Sequence, residues 1–262
     1  MDLIKIFKTL IIMRHLYLLT VFFFLLGANS LRAQEWQALY NAALQSYNNE
    51  DYSNALSTAI KAYQQVKGKD AKSTAYTLQL ITANYSMLDN VSEALPYAQE
   101  EVTAFLQLEG EQSKNYAEAL KKQINFLLTA NNITEAYTKS ATALKVVSTV
   151  YGASSYEYAV LLSQVGQINA SKKDLVKAQE YFNQATALLE KIPEGGDDLI
   201  TVLLASADLD RTSGATQAAE QKYKKVLTML EQNDLKDDPR YQQAKTNLNQ
   251  LAVASTNTNA IA

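Results

Sequence analysis

A marked alanine recurs along this chain at a nearly fixed step, and that step limits the fold more tightly than composition does. Five stretches align: Y-S-N-A-L-S-T-A from Tyr52, V-S-E-A-L-P-Y-A from Val91, I-T-E-A-Y-T-K-S from Ile133, L-V-K-A-Q-E-Y-F from Leu175 and T-Q-A-A-E-Q-K-Y from Thr216. Their alanines, Ala55, Ala94, Ala136, Ala178 and Ala219, lie 39, 42, 42 and 41 residues apart. A period of this size marks stacked supersecondary units that bury one continuous core. Sixteen residues before each alanine stands a leucine: Leu39, Leu78, Leu120, Leu162 and Leu203. Twelve before it the residue is small in four units, Ala43, Thr82, Gly166 and Ala207, with Ile124 as the exception.

Apolar residues at three- and four-residue intervals predict first helices over Trp36–Asn48, Thr74–Met87, Tyr116–Ala130, Tyr158–Ser171 and Leu199–Thr212. Short polar turns follow them, and second helices run to about Val66, Leu108, Val150, Lys191 and Glu231. Only 8 Gly and 3 Pro occur in 262 residues, which suits helix throughout. Gly68, Gly110, Gly152 and Gly195, 42, 42 and 43 residues apart, fall between units, where a residue able to adopt positive φ ends a helix cheaply. The stretch V-Y-G-A-S-S from Val150 is therefore expected to be a joint, its serines capping the next helix. It lacks the spacing of a phosphate-binding loop.

The pattern resembles the tetratricopeptide repeat, in which a large residue, L-G-x2-Y, a turn, A-x3-F and A are spread over paired helices. Leu78 to Tyr85 gives L-x2-I-T-x2-Y, Leu162 to Gly166 gives L-x2-V-G, and Ala55, Ala59 and Ala62 give A-x3-A-x2-A. Gly214, Ala219, Tyr223 and Val226 hold the same register in the fifth unit. The unit of roughly 42 residues is similar to the longer subtype of kinesin light chains. The resemblance implies an all-α, right-handed α-solenoid of about five helix pairs, over 36–69, 71–111, 113–152, 154–195 and 197–234. After Pro239, Tyr241, Ala244, Leu248 and Leu251 recur at helical spacing against a Gln-, Lys- and Asn-rich face. That segment, 239–252, is expected to cap the open end, and 253–262 to be a flexible tail.

The N-terminus differs from the rest. Met13-Arg14-His15 precedes an apolar run from Leu16 to Ala28 and then N-S-L-R-A-Q, the parts of a secretory signal. The run is shorter than the roughly 20 residues a spanning helix needs. Cleavage fits after Ser30 or after Ala33, and translation from Met1 or Met13. The mature chain from residue 34 then holds 20 basic and 26 acidic residues, a net charge of −6. No basic stretch stands out, which disfavours nucleic acid and anionic lipid as partners. The expected location is the periplasm or the exterior of a bacterial cell, without stable membrane insertion after cleavage. There is no cysteine, so no disulfide staples an exported form.

The only histidine is His15. A mature chain without His or Cys has no Ser–His or Cys–His nucleophile pair and no His-based metal site. The paired acids Glu100-Glu101, Asp197-Asp198 and Asp237-Asp238 read as solvated charge, since adjacent helical residues face different ways. No enzyme, cofactor or metal site is therefore expected. Of the 16 tyrosines, Tyr47, Tyr52, Tyr85 and Tyr223 fall on core-aromatic positions, and Trp36 on the open N-terminal end.

In the family that the repeats resemble, first helices line a groove that takes an extended peptide or a partner's helix. Carried onto this chain, the groove comprises Tyr40, Leu44, Tyr47 and Asn48, then Gln79 and Ala83, then Lys121, Lys122 and Asn125. Ser163 and Gln167, and Leu204, Asp208 and Arg211, complete it. Lys121 with Asn125 resembles half of the clamp by which some family members hold a peptide's C-terminal carboxylate; the matching Lys and Asn are missing from neighbouring units. The implied function is a non-catalytic scaffold for a protein or peptide partner. The alternative is an assembly component of the cell envelope that acts through its ends or by self-association. N-terminal sequencing of the mature protein is expected to begin at Gln34, or at Leu31 after the earlier cut. A chain starting at Met1 or Met13 would refute cleavage.

Overall fold

A computed structural model describes residues 34–261, so the signal segment 1–33 lies outside the described residues. These residues form eleven α-helices and no strand: α1 (34–48), α2 (Tyr52–Val66), α3 (Ala71–Met87), α4 (Val91–Glu109), α5 (Lys114–Thr129), α6 (Ile133–Tyr151), α7 (Tyr156–Ser171), α8 (Leu175–Leu189), α9 (Gly196–Thr212), α10 (Thr216–Gln232) and α11 (Pro239–Ile261). No helix among the described residues is long and apolar enough to cross a membrane. The chain divides into two compact units between Ala104 and Phe105, within α4.

In the first unit α2 packs on α3. Asn54 Nδ2 donates to Ser46 Oγ (3.1 Å), tying α2 to α1, and Trp36 Nε1 donates to Thr77 Oγ1 (3.0 Å), tying α1 to α3. In the second unit each first helix packs on its own second helix: α5 on α6, α7 on α8, α9 on α10. Each second helix also packs on the next first helix, and α5, α7, α9 and α11 succeed one another as neighbours. This is the all-α solenoid arrangement, with α11 standing where a sixth first helix would stand.

The first helices begin up to three residues before the apolar pattern does, because a polar turn precedes the stripe. Asp70, Ser113 and Ser155 accept from the backbone N–H of Ser73, Tyr116 and Tyr158 and add that turn to α3, α5 and α7. Gly152 has φ +97° and Ser155 caps α7, so V-Y-G-A-S-S is a helix joint. Gly195 departs from this scheme. Its φ is −83°, within a single 3-10 turn (Pro193–Gly195), and a Cβ there would lie 3.0 Å from Leu189 Cδ2. It is glycine for space and not for handedness.

Positive φ instead marks the turn inside every unit. Glu50, Asp89, Asn131, Lys173 and Gly214 all have φ between +51° and +83°. Each donates its N–H three residues back, and the next residue donates five back, as in Asp51 N to Ser46 O (2.9 Å) and Asn132 N to Leu127 O (2.8 Å). These paired bonds are the Schellman ending of a helix. Four of the five residues carry a side chain in a region that costs an L-residue about 1–2 kcal/mol.

In the fourth unit the small residue is explained by the one sixteen positions later. Gly166 is buried, and a Cβ on it would sit 2.6 Å from the Phe182 ring. The equivalent pairs are Ala207 with Tyr223 and Ile124 with Ser140, all buried. In these three units one position is bulky and the other small, whereas in the first two both are small, Ala43 with Ala59 and Thr82 with Ala98. α11 runs on to Ile261 instead of ending near residue 252, because nothing after Leu251 is Gly or Pro. One paired acid is also not solvated: Glu101 is fully buried and accepts from Thr82 Oγ1 (2.6 Å), since the α4 face it occupies turns onto α3.

Gly166→Ala is expected to cost about 1–3 kcal/mol by overpacking, read by thermal denaturation. Gly166→Ile with Phe182→Ser, which copies the third unit, is expected to recover most of what Gly166→Ile alone loses. Glu50→Gly is expected to stabilise by about 0.5–1 kcal/mol, because relief of left-handed strain exceeds the extra freedom of the unfolded chain. A lower melting temperature for this variant would count against a strained turn.

Candidate functional site

The predicted groove residues separate into structural and accessible sets. In the first unit Tyr40 is half-buried with its ring 5.4 Å from Trp36, and burial followed by the nearby Tyr76 raises its pKa. Tyr47 packs edge-on to Tyr52 at 5.4 Å, Asn48 is exposed at the end of α1, and Gln79 is half-buried on α3. Tyr85 and Tyr223 are core residues.

In the second unit Lys121 turns along its own helix. It donates to Glu118 Oε1 (2.9 Å) and lies 5.6 Å from the Tyr151 ring, whose hydroxyl also donates to Glu118 (2.6 Å). Burial, then the Glu118 carboxylate, pushes the Tyr151 pKa up. The cluster joins α5 to α6 and occupies the ammonium that a carboxylate clamp would need. Asn125 is exposed and accepts from Gln164 Nε2 across α5 and α7 (3.3 Å). Ser163 and Leu204 are buried and closed to a ligand.

Gln167 and Asp208 do come together, as opposite walls of a cleft of about 530 Å³ between α7 and α9. Ala170, Ser171, Ala205 and Thr212 extend the walls, while Phe182 and Leu209 contribute apolar surface. Ser171 and Thr212 lie one helical turn beyond Gln167 and Asp208. Their small size made them weak signals in the sequence, yet that size is what leaves the space. Lys173, from the turn after α7, also lines the cleft.

Arg211 belongs to a polar network around Asp208. Its Nε donates to Tyr223 Oη (3.3 Å) and stands 4.0 Å from Asp208 Oδ1. Tyr223 Oη donates to the same carboxylate; burial first, then this bond, pushes the Tyr223 pKa up to about 12. From α11, Asn247 Nδ2 donates to Asp208 Oδ1 (2.7 Å) and Gln243 Nε2 to Oδ2 (3.0 Å). Arg240, at the start of α11, grips Asp238 and reaches Asp197 Oδ1 (2.6 Å) and Thr201 Oγ1 (3.1 Å) on α9. That guanidinium lowers the Asp238 pKa to about 2. Asp198 accepts from Tyr156 on α7. The acids at 197, 198 and 238 thus tie helices together.

Ser206 Oγ and Lys222 Nζ lie 2.6 Å apart, the distance of a Ser–Lys nucleophile pair. Asp210 Oδ2 is also 2.6 Å from Lys222, and Ser206 is only 1% exposed. The lysine is paired with a carboxylate, so the group reads as a partly buried ion pair joining α9 to α10. No group of three or more His, Cys, Asp or Glu among the described residues could hold a metal ion.

Residues 157–232, the fourth and fifth helix pairs, match the family model of the tetratricopeptide repeat. No curated protein sequence matches the chain. Among solved structures, the apo form of RapI is 14% identical with a TM-score of 0.68, over 85% of this chain and 85% of that one. A putative kinesin light chain of Podosopora anserina with nearly identical tetratricopeptide-like repeats is 11% identical with a TM-score of 0.62, over 76% of this chain and 96% of that one. A Rap protein complexed with competence and sporulation factor is 15% identical with a TM-score of 0.60, over 83% of this chain and 62% of that one. By the model matched over its fourth and fifth pairs and the shared fold, the chain carries tetratricopeptide repeats over residues 157–232 within an all-α solenoid.

Proposed function

We propose that the protein is an exported, non-catalytic scaffold that holds an extended segment of a protein partner in the cleft between α7 and α9. The observation that carries this reading is the lining of that cleft. Gln167, Ser171 and Thr212 offer uncharged donors and acceptors above the apolar surface of Phe182 and Leu209. Such groups suit a peptide backbone, with an apolar side chain directed downward. The small walls make room without rearrangement. The Rap protein complexed with competence and sporulation factor shares this fold and lends the reading support by analogy. Export rests on the N-terminal sequence.

Ala170 is half-buried on the cleft wall, so Ala170→Arg would fill the cleft from its rim. In affinity purification from the cell envelope, a partner held by the wild type is expected to fall about tenfold or more with this variant, the equivalent of 1.4 kcal/mol of lost contact. The melting temperature is expected to stay unchanged. Substituting Lys121, Asn125 and Gln167 together by Ala is expected to weaken binding chiefly through Gln167. A partner retained at full yield by Ala170→Arg would move the binding surface to the ends of the array.

A further inference from the structure

The cap helix and the cleft share one carboxylate. Asp208 lines the cleft, and the same side chain accepts Gln243 Nε2 (3.0 Å) and Asn247 Nδ2 (2.7 Å) from α11. The apolar hold on α11 is slight. Ala244 and Leu251 are its buried apolar residues among those described, with Tyr241 and Leu248 partly buried. On α9, by contrast, Ile200, Val202, Leu203, Leu204 and Ala207 are all buried. Polar contacts carry the rest: the two amides on Asp208, Arg240 on Asp197 and Thr201, and Tyr241 Oη on Glu231 (2.7 Å). A helix with few buried apolar groups and solvent-facing polar bonds sits at the low-stability end of a repeat array.

We propose that α11 opens on its own while α7 to α10 stay folded, and that Asp208 couples this opening to a cationic group in the cleft. The amides that hold Asp208 are neutral donors. An ammonium or guanidinium arriving from the cleft side makes charge-assisted bonds to the same oxygens, and these are stronger. Arg211, 4.0 Å from Oδ1 and bonded to Tyr223, already stands beside the carboxylate without displacing the amides; a cation placed in the cleft approaches from elsewhere. Binding there draws Asp208 from α11, and an open α11 leaves Asp208 free for the cation, since the linkage is reciprocal. The identity of the cation as part of a bound partner rests on the cleft being the binding site. The coupling itself does not.

The test therefore uses a tethered cation and no partner. Thr212 is exposed, lines the cleft and lies four residues after Asp208 on α9, within reach of it along the helix face. Hydrogen exchange is followed by mass spectrometry in wild type, Thr212→Arg, Thr212→Gln and Asp208→Asn. In the wild type, amides of residues 240–253 are expected to exchange well before those of α7 and α10. Thr212→Arg is expected to speed exchange in 240–253 by about tenfold, as a loss of local opening free energy does, and to leave α7 and α10 as they were. Asp208→Asn is expected to do the same, and Thr212→Gln to match wild type. Exchange of α11 in step with α7 and α10 in the wild type would overturn independent opening. Equal rates in Thr212→Arg and Thr212→Gln would overturn the coupling while leaving the groove reading intact.

Discussion

The close approach of two helices within a unit is the contact on which this structure depends. In the third to fifth units it turns on a pair of buried positions sixteen residues apart, one large and one small. Phe182 fits because residue 166 has no side chain, and Ala207 and Tyr223 are both fully buried in the same core. Were both positions large, the helices would part and the apolar stripes of neighbouring units would lose their partners. Since each unit buries its face only against the next, a misfit in one is felt along the stack.

The helix pairs were legible because period and burial coincide: the five marked alanines are all fully buried. Helix starts were legible to within three residues, the error being the polar turn that Asp70, Ser113 and Ser155 cap. Gly195 misled because a glycine serves either handedness or space, and composition does not separate the two. The positively twisted turn residues Glu50, Asp89 and Lys173 gave no sign of their conformation. Their backbones are held by bonds to the preceding helix, whatever the side chain.

The candidate site was less legible. The family position of Gln167 falls on the wall of the α7–α9 cleft, but Lys121 is drawn to Glu118 three residues away on its own helix. A periodic pattern says which face a residue occupies, and not what the side chain grips there. The network around Asp208 was hidden for another reason. Its partners Gln243 and Asn247 come from a segment outside the repeat, 35 and 39 residues on. No internal comparison could align them.

The position of α11 bears on assembly. It occupies the place of a sixth first helix and turns Gln242, Lys245, Thr246, Asn249 and Gln250 to solvent. A stack that stopped at α10 would end in a surface shaped to receive a first helix, which every copy of the chain carries. Such a contact joins unlike faces, and where its rotation does not close it propagates into fibres. The polar helix covers that surface with side chains that water can solvate.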